Sequence, residues 1–250
     1  MTATNPAQRS SDGVIELRQY TLKPGKRDTL IDLFERKLVE AQEDAGMKIL
    51  GQFRDLDNPD RLVWLRSFAD MEARKRALAA FYGGPVWKAN REAANATMAD
   101  SDNVLLLRPV RPHAGFPVAQ RPRPGVGAKE HPSSLITTTL CYLPAPVDEQ
   151  FIRFVEEDVL PVVGDAGART IAVLQTEAAE NTFPLLPVRE GEHVLAWFCA
   201  FENRAQHKHY ADRLTAISHW QNRVLPQLMT HLTAGPEQLR LAPTASSALR

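Results

Sequence analysis

The sequence predicts an α+β protein of two tandem ferredoxin-like (β-α-β-β-α-β) units forming a dimeric α/β-barrel type arrangement. Three observations carry that expectation. Residues 14–26, VIELRQYTLKPGK, alternate apolar and polar side chains before breaking at Pro24-Gly25, the pattern of a two-faced strand and a turn. Residues 111–133 are rich in proline and glycine, lack periodicity, and read as a semi-rigid linker. Landmarks on one side of that linker return, in unchanged order, on the other.

In the first unit, residues 13–110, the strand gives way to a helix over 26–45, where Leu30, Leu33, Phe34, Leu38 and Ala41 recur at three- and four-residue steps. Gly46 suits its C-cap. Residues 47–54 and 61–68 read as a hairpin across the turn-forming run 55–60. A helix over 70–80 is interrupted by Gly83-Gly84-Pro85 and continues over 86–98, and a short apolar strand over 104–107 closes the unit.

The second unit, residues 134–250, is found by subtraction. Pro24 and Phe34 return as Pro144 and Phe154 at an offset of 120, and Asp44-Ala45-Gly46 as Asp165-Ala166-Gly167 at 121. Trp64, Phe68 and Trp87 return as Trp197, Phe201 and Trp220 at 133, and Pro109 as Pro243 at 134. The jump falls in the second hairpin, where residues 177–192 replace a short turn, so that insertion is expected to be a lid or a partner contact.

Each such sheet covers one face with helices and leaves the other bare. Its cover is either the other unit of the same chain or a second copy, which would make a homodimer or larger homo-oligomer. With 30 basic and 30 acidic residues in 250, charge predicts binding to neither nucleic acid nor an anionic membrane. Cys141 and Cys199 sit in apolar runs and read as buried hydrophobes rather than a disulfide or metal pair. Residues 1–12 read as a flexible lead-in without a secretory signal, and a cytoplasmic protein is expected. Nucleotide-loop and serine-hydrolase motifs are absent from the sequence.

The candidate site is a polar set on the first strand. If Ile15 and Leu17 face the helices, then Glu16, Arg18 and Tyr20 face the barrel side, with Arg66 beside them. By the offsets, their second-unit counterparts are Ile136, Thr138, Leu140 and Cys199, so only the first unit is polar there. Arg18 would anchor an anion or carbonyl and Tyr20 would donate a hydrogen bond. The competing reading, which takes precedence, is an internal ion pair of Glu16 with Arg18 or Arg66 that fixes how the halves dock. Trp64, Tyr82 and Trp87, with Phe81, are candidates for an aromatic pocket wall, although core packing explains the two tryptophans more simply.

The opening VIELRQYTLKPGK, with Glu16-Leu17-Arg18, Tyr20 and Pro24-Gly25, followed by a helix and by Trp64, resembles the NIPSNAP family, and the tail from Leu239 to Arg250 resembles the end of its tandem bacterial members. The resemblance implies the dimeric α/β-barrel superfamily, whose branches include cofactor-independent monooxygenases, heme-using and heme-degrading enzymes, and isomerases. It supplies no catalytic motif that can be carried over residue by residue. The function it implies is binding of a small, partly apolar molecule, with a monooxygenase- or isomerase-like activity, against the alternative of a non-enzymatic scaffold. No cofactor is expected; heme, ligated by His209 or His219 near Tyr210, is the alternative. His207 and His209 lie on different faces of a helix, so a solvated face is the preferred reading of both, and no metal site is expected.

Overall fold

The computed structural model describes residues 13–117 and 123–250, and the expected lead-in over residues 1–12 lies outside them. The alternation of residues 14–22 becomes strand β1 (Val14–Leu22), followed by helices α1 (Arg27–Leu33) and α2 (Val39–Asp44), which run together through one π-helical turn. Strands β2 (Lys48–Asp55) and β3 (Arg61–Phe68) form the hairpin; then come α3 (Met71–Gly83), α4 (Pro85–Thr97), a short β4 (Met98–Asp100) and β5 (Val104–Pro109). The chain continues with β6 (Leu135–Tyr142), α5 (Glu149–Phe154), α6 (Leu160–Asp165), β7 (Arg169–Thr176), β8 (Val194–Phe201), α7 (Arg204–Ala216), α8 (Leu225–His231) and β9 (Glu237–Pro243).

Local chemistry sets several of these boundaries. Asp70, Asp148 and Asn203 each accept a hydrogen bond from the backbone N–H three residues on, capping α3, α5 and α7. Gly46 (φ 97°) and Gly167 (φ 113°) end α2 and α6 in the left-handed region, which a side chain would strain.

The strands hydrogen bond in the order β3-β2-β9-β6-β8-β7-β5-β1, and β1 pairs back with β3, so eight antiparallel strands close into a barrel with β4 attached outside on β1. Two seams join the halves: Phe53, Arg54 and Asp55 against Pro243, Ala242 and Leu241, and Leu107, Arg108 and Pro109 against Thr176, Gln175 and Leu174. One chain therefore supplies all eight strands of the barrel. Closure also removes the sheet edges that would otherwise invite aggregation.

The barrel interior is aliphatic and filled. Ile15, Leu17, Val63, Leu65, Leu105 and Leu107 meet Ile136, Leu140, Leu174, Phe198, Leu239 and Leu241 there, all buried. Phe116, just beyond β5, inserts among them and meets Phe198 edge-on at 4.9 Å. Burying each such side chain contributes about 1.5–3 kcal/mol.

Two outer layers cover the barrel. Leu30, Phe34, Leu38, Leu78 and Phe81 pack over Tyr20 and Trp64 on the first half. Phe151, Val155, Val159, Trp220 and Leu228 pack over Cys141, Trp197 and Cys199 on the second. Among the described residues, no helix is long and apolar enough to cross a membrane.

Candidate functional site: a buried arginine cluster

The faces of β1 are the reverse of the sequence expectation. Ile15 and Leu17 point into the barrel, whereas Tyr20 and Trp64 belong to the layer beneath the helices, and Glu16, Arg18 and Arg66 alternate onto that same side. Period-two alternation separates two faces without saying which is inside. A closed barrel lumen is a dry sheet-on-sheet core, so it takes the aliphatic set. The polar set remains outside, where a network of partners can satisfy it.

That network centres on Glu16. Its Oε2 accepts hydrogen bonds from Arg18 Nη1 at 2.6 Å and Arg66 Nε at 2.7 Å, and its Oε1 accepts one from Arg74 Nε at 2.6 Å. All four side chains are fully buried. Arg18 Nε also donates to the Tyr20 hydroxyl at 3.0 Å, and Arg66 Nη1 to Gln42 Oε1 at 3.0 Å. Trp64 stands between two of the cations, with the Arg18 and Arg66 guanidinium carbons 5.4 and 5.1 Å from its ring. Such contacts offset part of the charge, by about 0.5–2 kcal/mol each.

The charges do not cancel. One carboxylate faces three guanidinium groups, which remain protonated in proteins, so the cluster is doubly positive. Its donors are not all used either: Arg18 Nη2, Arg66 Nη2, Arg74 Nη2 and Trp64 Nε1 are buried without a hydrogen-bond partner. Burial pushes the Glu16 carboxyl upward, but Arg66, Arg18 and Arg74 outweigh it and hold the group well below the ordinary carboxylate range. Glu16 is therefore a poor general base at neutral pH. Burial raises the Tyr20 phenol above its usual value, so it stays protonated and can donate. The cluster can hold an anion or a developing negative oxygen, and it is not built to remove a proton.

Of the residues singled out from sequence, Glu16, Arg18, Tyr20, Trp64 and Arg66 come together here. Tyr82 reaches close enough to act electrostatically on Arg18, but its ring contacts are with Phe81, Trp87 and Phe183. Trp87 belongs to that second aromatic group, at 5.0 Å from Tyr82, rather than to the cluster. The ladders also correct the repeat register. Arg18 lies across from Trp64, and the residue across from Trp197 is Thr139, an offset of 121 rather than 120. The positions corresponding to Glu16, Arg18 and Tyr20 are thus Thr137, Thr139 and Cys141, because a slip of one residue exchanges the two faces of a strand.

Sequence reasoning missed Arg74, Gln42 and Asn181. Arg74 occupies a buried position four residues after the Asp70 cap of α3, one turn into the helix, which was the available signal. Asn181 comes from the insertion between β7 and β8 and could not have been placed: its Oδ1 accepts from Arg74 Nη1 at 2.9 Å across the boundary between the halves. Thr182 Oγ1 donates to the Met71 carbonyl at 3.2 Å, and Phe183 stacks on Tyr82 at 5.9 Å. The insertion lies over the first half's helices. A cavity of about 270 Å³ separates it from β5.

Among the described residues, no three His, Cys, Asp or Glu side chains come together as a metal set. His207 packs against Phe201 and Tyr210, and His209 and His219 are exposed.

A closed antiparallel α/β barrel with a buried arginine cluster under one helical layer is the class that fold and site define. Within it, residues 15–111 match the family model of NIPSNAP. None of the curated proteins matches the chain. Among solved structures, an anthrone oxidase-like protein is 12% identical with a TM-score of 0.56, over 93% of this chain and 92% of its own. A provisionally named monooxygenase from Lactobacillus acidophilus is 11% identical with a TM-score of 0.55, over 95% and 97%. A second protein so named, from Fusobacterium nucleatum, is 9% identical with a TM-score of 0.53, over 93% and 92%. Likeness at these identities concerns the fold alone.

Proposed function

We propose that the chain binds a small, partly apolar anion at the arginine cluster of its first half. The observation that carries the reading is the doubly positive, fully buried group of Arg18, Arg66 and Arg74 around Glu16, with an unused donor on each guanidinium. Unbalanced buried charge costs several kcal/mol per ion, and a bound carboxylate or oxyanion would offset that cost.

If the site is catalytic, in a monooxygenase- or isomerase-like reaction, the arginines and the Tyr20 hydroxyl would stabilise the negative oxygen of an enolate or phenolate by charge and hydrogen bonding. The architecture behind this is two tandem ferredoxin-like units, 13–110 and 134–250, of which only the first kept a charged outer face. The repeated order of elements and the matched tryptophan ladders support that reading.

A scaffold with a purely structural barrel is the second reading. It is favoured by the three short bonds of Glu16 and by the filled lumen. A titration with hexanoate, followed by the arginine Nε–H signals in NMR, separates the two: saturable shifts at Arg18, Arg66 and Arg74 support binding, and unmoved signals support the scaffold.

A further inference from the structure

The β2–β9 seam carries a cleft of about 540 Å³ whose walls include no member of the arginine cluster. Both halves build it: Arg27 and Asp55 come from the first, and Arg204, His207, Lys208 and Arg240 from the second. Helix α7 borders it along one face. Arg204, His207, Lys208 and Ala211, at steps of three, four and seven residues, line the cleft, and no residue of α7 is buried. Four Lys or Arg side chains thus face a single acid, Asp55. Lys208 is answered by Asp212 and Arg240 by Asp57. Asp55 is itself taken up, by Arg61 and by the backbone N–H groups of Asp57 and Asn58. Arg27 and Arg204 remain, neither with a carboxylate in ion-pair contact among the described residues. Arg27 is held in place, because its Nη1 donates to the carbonyls of Asp55 at 2.8 Å and Asn58 at 3.0 Å. Its Nε is buried without an acceptor. Arg204 is exposed.

We infer that this cleft binds an organic phosphate monoester, with its phosphate at Arg27 and Arg204 and its apolar body against Leu56, Pro59 and Leu135. The charge fixes the head group. Two cations without a carboxylate partner match a group that carries close to two negative charges at neutral pH, which a phosphate monoester does and a carboxylate does not. Guanidinium also suits the oxygens: with Nη1 committed to backbone carbonyls, Arg27 keeps its Nε and Nη2 for a bidentate bond to phosphate. A buried donor without an acceptor is costly, and a phosphate oxygen would supply the acceptor. Size and lining fix the body. The volume lies within the usual ligand-pocket range of ~300–1,000 Å³ and equals roughly eighteen waters at ~30 Å³ each, space for a two-ring aryl group beside the phosphate. His207, half-buried against Phe201, lines the same cleft and reports its occupancy. Because Arg27 and Arg204 come from different halves, the site exists only in the joined chain. It is separate from the arginine cluster and stands whether or not that cluster takes an anion.

The test is a set of NMR titrations of the full chain with 1-naphthyl phosphate, 1-naphthoate, 1-naphthol and inorganic phosphate, at about pH 7.5, above the second phosphate pKa of ~6. The ring signals of His207 are followed. The inference expects saturable shifts with 1-naphthyl phosphate and affinity at least tenfold higher than for each of the other three probes. Arg204→Gln alters an exposed side chain and is expected to weaken 1-naphthyl phosphate at least tenfold with an unchanged amide spectrum. Arg27→Gln is expected to weaken it as much; since Arg27 also ties the turn at residues 55–58, Arg204→Gln is the deciding variant. Unmoved His207 signals, or Arg204→Gln binding as tightly as the wild type, would overturn the site. Equal affinity for 1-naphthoate would overturn the phosphate head group, and equal affinity for inorganic phosphate would overturn the apolar body. Shifts at Arg18, Arg66 and Arg74 instead of His207 would place the probe at the arginine cluster and overturn this inference while leaving the anion-binding reading standing.

Discussion

Removing the charge of Glu16 perturbs three buried arginines at once. Glu16→Gln keeps the shape but leaves Arg18, Arg66 and Arg74 buried together with no counter-charge, since all three bond to that one carboxylate at 2.6–2.7 Å. At an effective dielectric of ~20 and charge centres ~4 Å apart, each pair is worth about 4 kcal/mol, so roughly 12 kcal/mol of attraction disappears. The variant escapes the desolvation cost of the carboxylate, which is several kcal/mol, and amide hydrogen bonds replace part of the rest. Losses on breaking a buried ion pair run to about 3–5 kcal/mol, and that is the expected destabilisation. For a chain of this size it corresponds to a fall in Tm of roughly 6–20 °C. Urea unfolding of the wild type and Glu16→Gln measures it, and adding Arg66→Met to the variant should restore stability by relieving repulsion. A loss under 1 kcal/mol, or further loss in the double variant, would refute the charge accounting.

Further predictions follow from the same structure. Because the Glu16 carboxyl is held below its unfolded value of ~4.3, the unfolded chain binds the proton more readily; the Glu16 contribution is complete above about pH 5 and is lost as pH falls towards the folded value. Urea midpoints measured from pH 7 to pH 3 should therefore fall, and Glu16→Gln should flatten that fall. Phe116→Ala withdraws the side chain plugged into the barrel against Phe198 and should cost about 3–5 kcal/mol, measured by urea unfolding. Burial raises the Cys141 thiol to about 12 and the Cys199 thiol to about 11. Neither should react with iodoacetamide at pH 8 in the native protein, whereas both should react in urea, which mass spectrometry will count. Asn181→Ala unties the insertion from Arg74 and should speed amide hydrogen exchange of residues 181–186 while leaving the barrel strands unchanged.

The strands and helices were legible because their periods are local. The hairpin at residues 55–60, the caps and the glycine stops follow from neighbouring residues, and strand bounds over 61–68 agree with the ladder. Orientation was not legible. Glu16 and Arg18 alternate with Ile15 and Leu17 in either arrangement, and only closure through the β2–β9 and β5–β7 seams decides which set faces the lumen. The charged cluster was legible as a set of residue types, since charge on a strand requires partners wherever it points. Its membership was half found. Arg74 sits beyond the turn after β3, and Asn181 is 107 residues from the arginine it holds. Contacts of that range have no periodic trace in the chain. The same holds for the sense of the charge: the sequence suggests one arginine partner for Glu16, whereas three arginines make the cluster positive rather than neutral.

The most direct test of the central claim is the affinity of hexanoate for the wild type and for Arg74→Met, read from the Nε–H signals of Arg18 and Arg66. An anion site predicts saturable shifts in the wild type and at least a tenfold weakening in Arg74→Met. Signals that stay in place in the wild type, or an unchanged affinity in Arg74→Met, would contradict it.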